Sequence, residues 1–394
     1  MVISVNLTLS VKSTATDALA IVAWETGRIV DVFYDPHSNL IFHEAGVSKA
    51  ERELESFIAG VAKGVGLDPA EFTNRIKRAC FGLAGTRTAL DEETVRGMVR
   101  LGSRSQLFIT TELDGTLIAN SSESTGIVVN VGSGTMVIWR VDGGSSGCAG
   151  GWGPELGDSG GEFWIGRRAL RLLMRAYDGL EPMPDVLRER ILAGTLAGTL
   201  GFAQHDLSYL LSWMDKVMQF DIRRQVSRLA KYVESAAEDG EMVAQAIIAA
   251  AVDHICDILC RTADVSGINA SSYCGPVILE GEFIESNKIM ASAVRSVAKF
   301  LFPNAHVIYP RYDGVVGLHM YALAGDERVS PSIRQETEEK ISELSRESRR
   351  WLLLRGQQDT IVQNHDWPWQ ILPYWMDSIS RGRRPEGHRN REMP

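Results

Sequence analysis

The chain has 394 residues, of which 44% are hydrophobic and 23% are charged, and its formal net charge is −9 at neutral pH. This composition is that of a globular protein, and the length allows two domains plus an extra segment. Because no basic field covers the main body, we expect no nucleic-acid partner. The arginines that cluster near the C-terminal end, from Arg381 to Arg391, predict a solvated tail instead.

The N-terminal stretch and the cysteines predict a cytoplasmic protein. The first residues, MVISVNLTLSV, lack a cationic region and alternate like a strand, which is unlike a signal peptide. No apolar run approaches the thickness of a bilayer in this interpretation, so we expect no membrane partner. The five cysteines are scattered and odd in number, which favours a reducing compartment. Cys256 and Cys260 lie one helical turn apart near His254, but without further ligands we expect core packing and no metal held there.

The first part of the chain alternates strands with helices. Period-two alternation and short apolar runs predict strands at residues 3–11, 18–23, 29–34, 80–86 and 106–111. Apolar residues at helical spacing, such as Leu54, Ile58 and Val61, predict a helix at residues 50–65, and a second helix is predicted at 91–100. Strands and helices that interleave in this way predict one α/β unit over residues 1–120.

The same order of elements starts again after residue 120. Strands are predicted at residues 126–131, 136–141, 276–279 and 306–309, and helices over 163–263, 287–300 and 314–324, including a long buried one at 242–260. The repetition predicts two related α/β halves, residues 1–120 and 121–330, with a cleft between them. Residues 331–394 are expected to form an appendage, with one charged helix over 334–354 and a disordered basic end.

Two strand-to-strand turns are candidates for phosphate binding. Gly132-Ser133-Gly134-Thr135 joins two apolar strands, and backbone N–H groups in such a glycine turn can hold a phosphate. A tight hairpin turn would use the same residues equally well. The corresponding turn of the first half, around Lys12-Ser13-Thr14, offers hydroxyls and a lysine but no glycine and no acid. A plain strand–strand turn is at least as good an interpretation of it.

The densest glycine run extends from Gly143 to Gly166, and an apolar helical pattern starts inside it at Phe163. Glycine costs roughly 0.5–1 kcal/mol per site relative to alanine, and a chain keeps it where the backbone approaches a ligand. The run therefore predicts a ligand loop with Asp158 at its edge, although Asp158 could instead cap the helix. Phosphoryl transfer needs a carboxylate near the attacking hydroxyl, and Glu112 and Asp114 directly follow a predicted strand.

The stretch from Gly150 to Trp164, GGWGPELGDSGGEFW, closely resembles a signature of the form GGWG…GDEGS…W. That signature belongs to the N-acetylglucosamine kinase branch of the BadF/BadG/BcrA/BcrD-type ATPase family. Further segments resemble the family's motifs in the family's order: Ser38-Asn39, Phe81 to Thr86, Ile109 to Gly115, Val131 to Thr135, Val277 to Gly281, and Gly314 to Ala324. The resemblance covers about residues 1–325.

The resemblance implies an α/β fold of two ribonuclease-H-like domains, as in actin, sugar kinases and heat-shock chaperone ATPases, closing over ATP around a central cleft. It implies phosphate transfer from ATP with Mg²⁺ to an amino sugar, most simply N-acetylglucosamine to its 6-phosphate. Dimerisation is common among similar kinases, which leaves a homodimer possible. The implied site residues are the base Glu112 and the sugar ligand Asp158, the sugar-side residues Asn39, Thr111, Gly151, Trp152 and Gly153, and the nucleotide-side residues Lys12, Ser13, Thr14, Gly132, Ser133, Gly134, Thr135 and Gly281.

The chain departs from the family pattern at three places. Ser10 to Thr14 replaces an N-terminal DGGGT loop, so the acid and all its glycines are missing. Glu112 stands where the family has an aspartate, and the extra methylene moves the carboxylate by about 1 Å, a displacement that can cost roughly 100-fold in rate. Glu282 lies beside Gly281, where small residues usually approach the adenine.

These departures leave three interpretations. The first is an amino-sugar kinase, weakened by its first phosphate loop. The second is a pseudokinase that binds a sugar or nucleotide without transferring phosphate. The third is an ATPase that activates a redox partner through an iron–sulfur cluster held by cysteines, and Cys148 alone does not supply that pattern.

Overall fold

The computed structural model describes residues 6–14, 17–36, 38, 40–141, 146–196, 210, 213–215, 222–325 and 328–354. Two residues or segments with expected roles, Asn39 on the sugar side and the disordered basic end after residue 354, lie outside these ranges.

The first sheet has five strands in the order β3-β2-β1-β4-β5. They are β1 Leu7–Ser13, β2 Ala18–Trp24, β3 Ile29–Asp35, β4 Ile76–Leu83 and β5 Gln106–Thr110. β1, β2 and β3 form an antiparallel meander, whereas β4 runs parallel to β1 and β5 parallel to β4. Side chains alternate between the two faces of a strand, so Leu7, Leu9 and Val11 enter one core cluster while Lys12 faces the other side.

The helices of the first half cover this sheet and end at recognisable caps. They are α1 Phe42–Ala45, α2 Val47–Gly64, α3 Pro69–Arg75, α4 Ala89–Met98 and α5 Glu112–Asn120. In α4 and α5 a threonine caps the helix and an aspartate three residues later bonds back to the backbone N–H of that threonine. This reciprocal capping satisfies N–H groups that have no partner within the helix.

The second sheet repeats the first. Its order is β10-β9-β6-β7-β8, again with a three-stranded antiparallel meander and two parallel strands. Its strands are β6 Gly126–Val131, β7 Thr135–Arg140, β8 Ser146–Gly150, β9 Pro276–Glu280 and β10 His306–Ile308. The predicted α/β class and the predicted repetition of one strand order in two halves are confirmed.

The helices of the second half form the largest core cluster together with their sheet. They are α6 Gly153–Leu156, α7 Glu162–Tyr177, α8 Asp185–Leu196, α9 Ile222–Ser227, α10 Ala230–Glu238, α11 Met242–Val265, α12 Glu282–Ser286 and α13 Lys288–Leu301.

The helix α11 corrects one expectation. By length and composition its 24 residues could cross a membrane, so the prediction that no apolar run reaches that length is wrong. One face of this helix, with Ile247, Ala251, Ile255, Cys256 and Leu259, is buried in the core cluster. The predicted burial of the helix and of Cys256 is confirmed.

The last described helices return to the first sheet. The helix α14, Gly314–Ala324, packs on α5 so closely that a Cβ on Gly317 would lie 1.9 Å from the backbone oxygen of Gly115. Two helices follow, α15 Pro331–Glu343 and α16 Arg346–Leu352. The predicted single helix over 334–354 is therefore wrong, because Ser345 caps a new helix by accepting a hydrogen bond from Ser348 N–H. The boundaries predicted at residues 120 and 330 stay a prediction.

The appendage packs along the outer strands of the first sheet. Trp351 stacks on Tyr34 of β3 with 4.0 Å between ring centroids, and Leu353 forms a β-bridge with Tyr312. These contacts cover an edge strand whose backbone groups would otherwise be open to pairing with another chain.

Candidate functional site

The ends of the central strands of the two sheets face each other. Lys12, near the C-terminal end of β1, contacts Glu280 at the end of β9 in the other half. The turn after β5 and the turn between β6 and β7 lie at these same strand ends. Ligands of open α/β sheets bind at the C-terminal ends of strands, so this cleft is the candidate site.

The glycine run is not one loop, as the sequence suggested. It contains the strand β8, the short helix α6 and the start of α7. Sequence reasoning missed β8 because a strand of small residues, SGCAG, has no visible apolar alternation. Between β8 and α6, Gly150, Gly151 and Gly153 have φ values of +79°, +69° and +80°. L-residues rarely adopt this region, so the backbone path itself requires these glycines.

Hydrogen bonds from β7 hold the backbone between Gly150 and Ser159, which we call the sugar loop. Gly151 N–H donates to the Thr135 carbonyl at 2.8 Å, and the Thr135 hydroxyl donates to the Ser159 carbonyl at 3.0 Å. The Trp152 side chain projects from this loop and is 58% exposed. The predicted sugar-side residues Gly151, Trp152 and Gly153 therefore lie on one fixed segment.

Asp158 is buried beneath the sugar loop, with 5% of its surface exposed. Its carboxylate pairs with Arg223 of α9, with 2.8 Å between Oδ2 and Nη2. Gly161 occupies the cap position of α7, where no side chain caps the helix, so the alternative role of Asp158 as a helix cap is wrong. Arg223 was missed because it is 65 residues away along the chain and lies in no motif.

The turn Gly132–Thr135 lies directly against Asp158. A Cβ added to Gly134 would be 2.4 Å from Asp158 Oδ2. The first N–H groups of α7 donate to the carbonyls of Gly132 and Ser133, at 2.9 and 3.2 Å. The structure thus brings the predicted phosphate turn and the predicted sugar aspartate together.

Gly281 joins β9 to α12 at the same end of the second sheet. Its φ is +118°, and a Cβ there would lie 2.4 Å from the Val131 carbonyl oxygen. Glycine is therefore required by close packing on β6. The predicted proximity to adenosine stays a prediction.

The two acids after β5 differ sharply. Asp114 accepts hydrogen bonds from Thr110 and Thr111 and pairs with Arg140 at 2.7 Å. Thr111, a predicted sugar-side residue, is the cap of α5 and spends its hydroxyl on this contact. Asp114 is therefore a structural acid.

Glu112 occupies the first turn of α5 and forms no ion pair within the described part of the chain. Burial, opposed by Lys12 and aided by the nearby acid Glu280, raises the pKa of Glu112 to about 7. A carboxyl group with a pKa near 7 can exchange a proton at neutral pH, so Glu112 is the acid of this cleft suited to act as a base.

Lys12 is the buried centre of a charged group that spans the cleft. Its Nζ is 2.7 Å from Asp313 Oδ2 and 3.7 Å from Glu280 Oε1. Burial alone would lower the pKa of Lys12, but Asp313 and Glu280 together raise it above its ordinary value. We call Lys12, Glu280 and Asp313 the cleft triad. Asp313 also caps α14, so the triad connects both sheets and the last helix.

The first predicted phosphate turn has no free glycine backbone. Lys12 and Ser13 lie in β1, where they pair with β2 on one side and β4 on the other. Thr14 continues into a turn in which its hydroxyl lies 2.5 Å from Asp17. Backbone N–H groups engaged in two ladders are unavailable to a phosphate, and only the Lys12 side chain points toward the site.

The donor groups at this end do not fit a magnesium ion held by protein carboxylates. Glu280 and Asp313 are paired with Lys12, and Ser10, a buried hydroxyl, stands where the resemblance expects an acid. In the described ranges, no group of three or more His, Cys, Asp or Glu residues could hold a metal ion.

Arg87 crosses from the first half to the sugar loop and was not expected. It follows the turn after β4, and its guanidinium lies 3.4 Å from the centroid of the Trp152 ring. The same side chain donates to the Gly150 carbonyl oxygen. Its position is fixed by Asp91, which accepts from the Arg87 and Thr88 backbone N–H groups. A cation directly after the small-residue turn Ala84–Thr86 was the available sequence signal.

Comparisons with known proteins agree with this arrangement. The family model of the BadF/BadG/BcrA/BcrD ATPase family matches residues 13–322. An N-acetyl-D-glucosamine kinase from Dictyostelium discoideum is 25% identical over 299 residues, which are 73% of this chain and 88% of that protein. An N-acetylmuramic acid/N-acetylglucosamine kinase from Clostridium acetobutylicum is 22% identical over 239 residues, covering 60% of this chain and 74% of that protein.

A solved structure supports the fold. The crystal structure of a Chromobacterium violaceum protein, described as a candidate N-acetylglucosamine kinase, superposes with a TM-score of 0.58 at 21% identity. The match covers 80% of this chain and 99% of that one. Because the family model spans most of the sequence and both sheets, the chain belongs to the BadF/BadG/BcrA/BcrD ATPase family.

Proposed function

We propose that this protein is a sugar kinase that transfers the terminal phosphoryl group of ATP to an amino sugar, N-acetylglucosamine being the simplest acceptor and its 6-phosphate the product. The observation that carries the proposal is Glu112, a cleft carboxyl with a pKa of about 7. The names of the two kinase relatives support the sugar and the donor.

The sugar side would position the acceptor. The backbone of Gly151 to Gly153 and the Trp152 ring offer a fixed edge, and the Asp158 carboxylate, held by Arg223, would accept hydrogen bonds from sugar hydroxyls. A charged acceptor that is already oriented loses little entropy when it binds a ligand. Asn39 is proposed to contact the sugar as well.

The chemical step would use Glu112 as the general base. Its carboxylate takes the proton of the attacking hydroxyl while that oxygen forms a bond to the γ-phosphorus of ATP. The bond between the γ-phosphorus and the bridging oxygen breaks, and ADP leaves with the electron pair. The N–H groups of the Gly132–Thr135 turn would face the phosphates, and Gly281 would lie beside adenosine. The donor set at the cleft triad gives no basis for a step through protein-bound magnesium.

A second function has one specific observation in its favour. Lys12 stands with two acids where the family has a glycine loop that holds phosphate. Losing preorganised donors of that kind costs several kcal/mol in a typical site. A pseudokinase that binds an amino sugar and does not transfer phosphate would keep the sugar loop and lose the phosphate loop in this way.

Sugar-dependent release of ADP separates the two functions. With N-acetylglucosamine, excess ATP and Mg²⁺, we expect turnover by the native chain and a loss of about 100-fold or more in Glu112→Gln. Glu234→Gln is the matched control, because Glu234 lies on α10 and its pKa is also raised to about 7 by burial and Glu238. Sugar binding by calorimetry without ADP release would establish the pseudokinase instead.

A further inference from the structure

Arg87 has an unusual electrostatic environment for an arginine in this cleft. The other two arginines that reach it are paired with carboxylates, Arg223 with Asp158 and Arg140 with Asp114. Within the described ranges no acid forms an ion pair with the Arg87 guanidinium, whose one hydrogen bond goes to the carbonyl of Gly150. Arg87 therefore brings an uncompensated positive charge to the edge of the sugar loop.

The neighbouring acid does not compensate that charge. Asp91 spends its oxygens on the N–H groups of Arg87 and Thr88, on the Thr88 hydroxyl, and on His43 at 2.9 Å. Its lone pairs are thus occupied by the cap of α4. The contact between Asp91 and Arg87 is made by the backbone, and it fixes where the side chain starts.

The stack on Trp152 fixes the plane of the guanidinium. With 3.4 Å to the ring centroid, the guanidinium lies on the ring and its edge is available to a ligand. A guanidinium carries five N–H donors, and one bond to a carbonyl leaves a pair of donors that matches a carboxylate. The planar group is also weakly hydrated, so pairing costs less desolvation than an ammonium would.

We propose that Arg87 binds a carboxylate on the sugar, so that the acceptor of this enzyme is an acidic amino sugar and Arg87 determines that specificity. The inference rests on the proposed function, since it assigns the substrate class of the same sugar loop. A neutral sugar can satisfy the loop backbone and Asp158, but it offers no partner for the third guanidinium of the cleft. A carboxylate next to the Trp152 ring does.

The test compares two sugars that differ by one acidic group. N-acetylmuramic acid is N-acetylglucosamine with a lactyl ether that carries a carboxylate. Binding of each sugar is measured by calorimetry without ATP, for the native chain and for Arg87→Gln, Arg87→Lys and Arg104→Gln. Arg104→Gln removes the same charge from an exposed turn before β5, at the other end of the sheet.

We expect the native chain to bind the acidic sugar more tightly than the neutral one. Arg87→Gln should weaken the acidic sugar by about 10- to 100-fold, and the neutral sugar clearly less, since only the former loses a charge-assisted pair. Arg87→Lys should fall between the two, because it keeps the charge and loses the planar fork. The preference should also shrink as salt rises.

Two results would overturn the proposal: a native chain that prefers the neutral sugar, or an Arg87→Gln variant that loses both sugars equally. The second result would assign Arg87 to supporting Trp152. Because binding is measured without ATP, a protein that discriminates the sugars but releases no ADP would overturn the kinase function and leave the role of Arg87 standing.

Discussion

The two sides of the cleft are built by different means. On the sugar side, glycines with positive φ and backbone hydrogen bonds from β7 set the path of the chain, and one ion pair, Asp158 with Arg223, lies beneath it. On the phosphate side β1 runs on as a fully paired strand, and the charged side chains of the cleft triad fill the space where the family has a glycine loop.

The difference shows where this chain has diverged from its family. A backbone path fixed by several glycines changes only if many residues change together, so the sugar loop keeps a readable signature. A phosphate loop depends on a few glycines and one acid, and in this chain their replacement brings in a lysine that needs acids from elsewhere. The triad is therefore the compensation that allows a buried ammonium at Lys12.

Removal of Lys12 should give the largest effect. Lys12→Ala would leave two buried acids, Glu280 and Asp313, without their cation, and breaking a buried pair in this way costs about 3–5 kcal/mol. We expect the free energy of unfolding, measured by chemical denaturation at neutral pH, to fall by that amount. Lys63→Ala, which removes a lysine from the exposed face of α2, should change it by less than about 0.5 kcal/mol.

A second variant sharpens this prediction. In Lys12→Ala with Glu280→Gln one of the two orphaned charges is gone, so part of the lost stability should return. If Lys12→Ala alone costs less than about 1 kcal/mol, the triad does not hold the phosphate side together and the contrast between the two sides fails.

Loss of the Asp158 charge should act on the sugar side. Asp158→Asn keeps the size of the side chain but removes the charge that pairs with Arg223, and a charge-assisted bond to a sugar hydroxyl becomes a neutral one. We expect sugar affinity, measured by calorimetry, to fall by about 10- to 100-fold. Nucleotide affinity should fall much less, and an equal loss of both ligands would show that Asp158 supports the whole cleft.

Glu112 should give a smaller effect on stability, with a defined pH dependence. Its pKa is raised from 4.5 to about 7 in the folded chain, so between these values the folded state binds more protons than the unfolded state. The free energy of unfolding should therefore decrease as pH rises from about 4.5 to about 7.

Glu112→Gln removes that ionisation. The decrease over this pH range should be smaller in the variant, by on the order of 1 kcal/mol, when unfolding is followed at pH 5 and at pH 8. Identical pH dependence in the variant and the native chain would mean that Glu112 is not buried enough to be perturbed.

The sequence predicted the halves of the fold better than the contacts between them. Strand alternation and the restart after residue 120 sufficed for both sheets, because these signals are local. The Lys12–Asp313 contact joins residues 301 positions apart, and Arg87 and Arg223 reach their partners across the cleft, so no local pattern contains them. β8 and the break at Ser345 were missed where small residues, or one capping serine, decide the structure.

The pH dependence of phosphoryl transfer tests the central claim most directly, namely that Glu112 is the base of a cleft that binds an amino sugar. With saturating sugar and ATP, turnover of the native chain should rise with pH and level off above a break near pH 7, because only the ionised carboxyl accepts the proton. Glu112→Gln should be slow at every pH and lack that break. A variant that keeps the native rate and the native break would contradict the account.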